Sequence, residues 1–187
     1  MDNQQEICEW ARLAGLLMGD GHFSMIPYSN HKQSKSGFTA IRPMIGLTNQ
    51  DASIIKVAAD LYDKQGVKFY IDTRNGVGLS KAPITNILVL RFDSVKLLCE
   101  NLIPWLVGDK QARAELLLRY VNKERRGRRV YDADDEDIIR AFAALSPKVK
   151  KGGPSRLTSV LRDYTQGSPI GDEDIVQSVA KSTGSSA

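Results

Sequence analysis

The hydrophobic patterning predicts an α+β domain built on an antiparallel sheet, and three observations carry that prediction. Helix-period and strand-period segments follow one another as α-β-β-α-β-β-α-α, so strands arrive in adjacent pairs without a crossover helix, as antiparallel pairing allows. Three of the four strands alternate apolar and polar residues, the pattern of a sheet with one covered and one solvated face. At 187 residues the chain can bury a full core. We read an αββαββα core over residues 1–123 and a helical C-terminal extension with a frayed end over residues 124–187.

The elements follow in order. Asn3 with Glu6 forms a capping-box pattern for a first helix running to Asp20. Leu13, Ala14, Leu16, Leu17 and Met18 leave it no polar face over two turns, which predicts burial on all sides. Residues 22–28 and 39–48 alternate as strands, joined by a polar stretch holding Lys32 and Lys35. In the first, Phe23 and Met25 oppose His22, Ser24, Tyr28 and Asn30; in the second, Ile41, Ile45 and Leu47 oppose Arg42, Met44 and Thr48. Ser53–Gln65 reads as an amphipathic helix closed by Gly66. A third strand over Val67–Arg74 sets Phe69 and Ile71 against Lys68, Tyr70, Asp72 and Arg74. A fourth over Asn86–Phe92 fits the alternation less well, because Leu88 and Leu90 share the face of Asn86. Helices over Ser94–Leu106, broken by Pro104, and Asp109–Lys123 complete the core.

Beyond it, residues 135–145, 155–165 and 172–182 read as short helices, the basic run at 124–129 as a solvated turn, and residues 148–154 as a linker. Lys and Arg number 26 against 22 acids, a formal charge of +4 that permits a phosphate-rich partner. Cys8 and Cys99 both lie in apolar helical patterns, so two reduced, buried thiols are expected. Two histidines leave no zinc cluster. No apolar run reaches membrane length and the N-terminus lacks a basic signal region, so we expect a soluble intracellular protein of the cytoplasm, nucleoid or organelle matrix, not secreted, without a membrane or small-molecule cofactor.

One segment carries chemistry. Residues 13–21, Leu-Ala-Gly-Leu-Leu-Met-Gly-Asp-Gly, end an apolar helix on an acid and a turn glycine. Gly15 and Gly19 lie one turn apart, where a second helix could approach backbone to backbone. Asp20 sits at a helix C-terminus, where the negative macrodipole disfavours an unpaired carboxylate and a neighbouring cation would relieve it. These nine residues resemble the LAGLIDADG motif of homing endonucleases, departing from it at Met18, where the family has an acid.

The resemblance, spanning roughly residues 8–123, implies the LAGLIDADG endonuclease fold and a metal-dependent, site-specific cleavage of double-stranded DNA in intron homing. By the same resemblance Asp20, with the Gly19 carbonyl, binds Mg²⁺ or Mn²⁺; Asn49 orients the attacking water, with Gln50 as a one-residue alternative; and Lys110 lies near the scissile phosphate. No second motif follows Asp20. The resemblance therefore implies a two-fold homodimer packed on Gly15 and Gly19, and a near-palindromic site of about 20 base pairs, two turns of groove. On the polar sheet face and its connecting loop, Ser24, Tyr28, Asn30, Lys32, Lys35, Arg42, Lys68, Tyr70, Asp72 and Arg74 are of the types that read base edges and phosphates. An intron maturase, or a DNA-binding protein that has lost cleavage, is the alternative.

Overall fold

The computed structural model describes residues 3–29, 39–74, 82–123 and 131–145, which form five helices and one four-stranded sheet. Helix α1 spans Asn3–Asp20, and strands β1 (Gly21–Ser29) and β2 (Thr39–Asn49) follow it. Helix α2 is Ala52–Lys64, capped by Asp51, whose side chain accepts from the Ser53 amide; Gly66, at φ 70°, ends that segment as expected. Strands β3 (Tyr70–Arg74) and β4 (Ile84–Val89) pair with each other. Helix α3 (Phe92–Leu102) passes into a 3₁₀ turn at Ile103–Trp105 containing Pro104, and α4 spans Gly108–Asn122. Helix α5 (Ala133–Ala144) opens on a capping box between Asp132 and Asp135.

The sheet order is β1-β2-β4-β3, antiparallel throughout. Register places Phe23 opposite Ile45, Leu47 opposite Ile87, and Ile45 opposite Val89. All of these side chains are buried in one cluster with Leu13 and Leu17 of α1, Ile55 and Tyr62 of α2, Leu98 of α3 and Leu117 of α4. The helices thus cover one face of the sheet. The opposite face carries His22, Ser24, Arg42, Met44, Thr48, Asn86, Leu88, Tyr70, Asp72 and Arg74, none of them buried.

Tyr131, Ile138, Ile139 and Phe142 join the same core, and two tyrosines close the sheet where β4 runs out. β2 extends to Thr39, but β4 pairs with it only from Ile45 onward. At Ile41 the backbone amide donates to the Tyr131 hydroxyl at 2.6 Å and the carbonyl accepts from the Tyr120 hydroxyl at 2.9 Å. Side chains from α4 and the α5 entry thereby supply the partners that a longer β4 would have provided.

Several expectations are corrected. The third strand starts at Tyr70 instead of Val67, because Val67 donates to the Tyr62 carbonyl at 2.9 Å and Lys68 to the Ser94 hydroxyl at 3.1 Å. Those amides are tied to helices, so Lys68 precedes the strand. The fourth strand runs Ile84–Val89 instead of Asn86–Phe92, since Phe92 already begins α3. Helix α1 is not buried all round: Leu13, Ala14 and Leu17 are inside, Leu16 and Met18 half-buried, and Gly15 and Gly19 exposed. Cys8 is exposed while Cys99 is buried, its thiol pushed up to about 12 chiefly by burial. The side chain of Asn3, residues 124–129 and 148–154, and the helices expected at 155–165 and 172–182 lie outside the described residues. Among the described residues no helix is long and apolar enough to cross a membrane.

Candidate functional site

Asp20 closes α1, and Gly21 opens β1 with no intervening residue. That turn needs a glycine: a Cβ at position 21 would lie 2.5 Å from the Leu17 Cα and 2.6 Å from its carbonyl oxygen, closer than real side chains approach. The helix end is therefore pressed against the sheet edge, and Asp20 comes to the end of the β1–β2 hairpin where β2 finishes at Asn49.

The Asn49 side-chain amide donates to Asp20 Oδ2 at 2.7 Å. Its other end is fixed too, since the Asp51 backbone amide donates to Asn49 Oδ1 at 2.8 Å. Two partners of opposite polarity set which way the amide faces. Asp51 itself is held below the usual carboxylate range by its hydrogen bonds from Ser53. Asn49 is thus clamped between a helix cap and the carboxylate.

Lys110 arrives from the first turn of α4. Its ammonium donates to three successive carbonyls at the end of α1, Leu17 at 2.7 Å, Met18 at 2.7 Å and Gly19 at 3.0 Å. A lysine has three N–H donors, and here all three meet the orphan carbonyls of a helix C-terminus. The cation that the macrodipole called for beside Asp20 is this side chain. Partial burial lowers the ammonium from the ordinary lysine value, and the Asp20 carboxylate opposes that shift.

His22 stands two residues after Asp20, on the wet face that the strand alternation predicts. Burial pulls its imidazole below the usual histidine value, and the Lys110 charge acts in the same direction. The signal that could have singled it out is its cross-strand partner Gly46, but register is not visible in a single strand.

The remaining expected residues spread over the open sheet face. Tyr28 is exposed with the Arg42 guanidinium 3.9 Å from its ring centroid. Ser24, opposite Met44, is half-buried. Across β2, β4 and β3 runs a polar row: Thr48 donates to Asn86 at 2.7 Å, Asn86 donates to the Asp72 carbonyl at 3.4 Å, and Arg74 bonds Asp72 at 2.6 Å. Arg74 is therefore paired rather than free, although the side chain stays largely exposed. Tyr70, opposite Leu88 in the next outward-facing row, is 56% exposed. Asn30, Lys32 and Lys35 lie outside the described residues.

Asp20 and the Gly19 carbonyl are oxygen donors suited to a hard divalent cation. Among the described residues no group of three or more acidic, histidine or cysteine side chains stands together. The described residues alone thus supply few oxygens, and the site fits a metal only if further oxygens come from elsewhere.

No family model matches the sequence, and no curated protein matches it. Solved structures do. The chain is similar to the homing endonuclease I-CvuI, solved with its target in the presence of calcium, at TM-score 0.59 and 18% identity over 87% of this chain and 98% of that one. It is similar to the archaeal intron-encoded homing endonuclease I-Vdi141I, solved with DNA, at TM-score 0.57 and 14% identity over 86% of this chain and 98% of that one. A third similar structure is the LAGLIDADG meganuclease I-CpaMI bound to uncleaved DNA, at TM-score 0.50 and 15% identity over 84% of this chain and 48% of that one. With its helix order, its β1-β2-β4-β3 sheet and the Asp20 helix end pressed on the first hairpin, the chain has the LAGLIDADG homing endonuclease fold.

Proposed function

We propose that the protein is a site-specific endonuclease that cuts both strands of a long, near-palindromic DNA target as a homodimer. The observation that carries this reading is the convergence of Asp20, Asn49 and Lys110 at the end of α1, beside a sheet face left open to a duplex. The neighbours solved with DNA add support by fold.

The division of labour follows from the geometry. A two-fold axis along the exposed Gly15 and Gly19 face of α1 would bring one Asp20 from each subunit together, supplying the oxygens that a single chain lacks. Asp20 and the Gly19 carbonyl would hold magnesium or manganese, which when bound stabilises the charge of an in-line displacement and acidifies an attacking water. Asn49 keeps the Asp20 carboxylate in one orientation and, at the site's open edge, can orient that water. Lys110 places a positive charge against the helix end, favouring the extra negative charge of the transition state through the field at short range. The outer sheet face, with Tyr28, Arg42, Tyr70 and Arg74, follows the major groove.

Asp20→Asn tests the centre. We expect cleavage of a duplex spanning the uninterrupted insertion point of its own gene to be abolished, while affinity in a gel-shift titration is kept or raised, because one negative charge near phosphates is gone. Cutting at a near-normal rate by this variant would remove Asp20 from the chemistry.

One observation favours a second reading, an intron maturase or DNA-binding protein that no longer cuts. Met18 stands where the motif has an acid, and all three Lys110 donors are spent on α1 carbonyls. Specific binding or splicing assistance with no magnesium-dependent cutting by the native protein would decide for it.

A further inference from the structure

His22 is the first β1 residue on the open sheet face, two positions after Asp20. Its ring does not stand off the sheet. A Cβ built on Gly46, its register partner, would lie 2.5 Å from both Cε1 and Nε2 of the imidazole and 2.9 Å from Leu88 Cδ2. The Cε1–Nε2 side of the ring therefore sits over β2 in a slot that exists because position 46 has no side chain, with Leu88 of β4 alongside. Any other residue at 46 would displace it.

A histidine is a poor choice for mere filling. An aromatic hydrocarbon would occupy the slot without burying part of two polar nitrogens. Among the described residues no hydrogen bond holds the ring, and the ring remains only half-buried. An imidazole seated against Gly46, half-exposed and without a protein hydrogen-bond partner among the described residues, is available to a group outside the protein. Neutral imidazole carries one donor and one acceptor, the pairing that a base edge can meet.

We propose that His22 is a specificity-determining residue, hydrogen-bonding a base edge of the target beside the scissile phosphate, with Gly46 as the seat that aims it. This rests on the endonuclease reading above. It adds to that reading a direct contact from β1 in the row that crosses the sheet at His22, Gly46, Leu88 and Tyr70.

The experiment is selection of bound sequences from a randomised duplex library by the full-length protein, run in parallel on the native chain, His22→Phe and Gly46→Ala. Phenylalanine fills the slot but has no ring nitrogens, so the melting temperature should hold while preference at one base pair per half-site falls roughly ten-fold, the size of one lost base contact. The loss must appear at mirror-related positions. Gly46→Ala keeps the histidine, lifts it from its seat, and should relax the same positions. Unchanged preference in His22→Phe, or equal weakening at every position, overturns the inference while leaving the endonuclease reading intact. Enrichment of no sequence by the native protein would overturn both.

Discussion

At the scale of single residues, the site is held by groups serving structure and chemistry together. Lys110 neutralises the C-terminal end of α1 through three carbonyls and simultaneously sets the charge beside Asp20. Lys110→Met should cost about 1–3 kcal/mol in urea unfolding, the range for charge-assisted hydrogen bonds. It should also slow single-turnover cleavage more than it weakens DNA binding. Unchanged stability would mean that the three bonds contribute nothing in solution. The residue types were legible in the sequence, since an acid at a helix end called for a cation. Which cation supplied it was not, because Lys110 is ninety positions away and only folding joins them. Cys8 shows the converse: its place in an apolar helical pattern suggested burial, but Ile7 and Cys8 are both exposed and the covered part of α1 begins at Trp10.

At the scale of elements, the sheet decides what faces outward. The poorly fitting fourth strand resolves once register is known: Asn86 and Leu88 both face out, and Leu88 is half-covered beside the His22 ring. Arg74→Ala should cost about 1–3 kcal/mol of binding if the guanidinium reaches a guanine, with preference relaxed at one position per half-site in a binding-site selection. Uniform weakening with a shallower salt dependence would instead mark a phosphate contact. The other end of β2 has its own test. Tyr131→Phe removes the acceptor of the buried Ile41 amide and should destabilise the fold by about 1–3 kcal/mol in urea unfolding, with the α5 helix loosened from the sheet. Equal stability of the variant would show that the tyrosine clamp is dispensable.

At the scale of the whole molecule, the proposed cleavage calls for a second copy of α1, since among the described residues no group of three acidic, histidine or cysteine side chains stands together. Among the described residues nothing beyond the helix's own backbone and the neighbouring residues lies within 4 Å of a Cβ built on Gly15 or on Gly19, so within them there is no steric need for glycine there. Gly15→Leu should therefore leave the subunit folded by circular dichroism but shift sedimentation from dimer to monomer and abolish cutting, because an isobutyl group separates helices that meet at their backbones. A variant that stays dimeric and active would show that α1 does not form the interface.

The order of helices and strands and the wet and covered faces of β1 and β2 were determined by the sequence alone, and Asp20, Asn49 and Lys110 were named there as what the resemblance to a nine-residue motif implies. Each depends on short-range periodicity or on a local motif, and such signals survive without knowing what packs against what. Tertiary structure alone decided the rest. It joined Asn49 to Asp20 across a hairpin, brought Lys110 to the end of α1, shortened β3 by tying Val67 and Lys68 to helices, and opened at Gly46 the slot that His22 fills. These features depend on register and on contacts between distant segments, and a cross-strand neighbour is defined only when two strands have met.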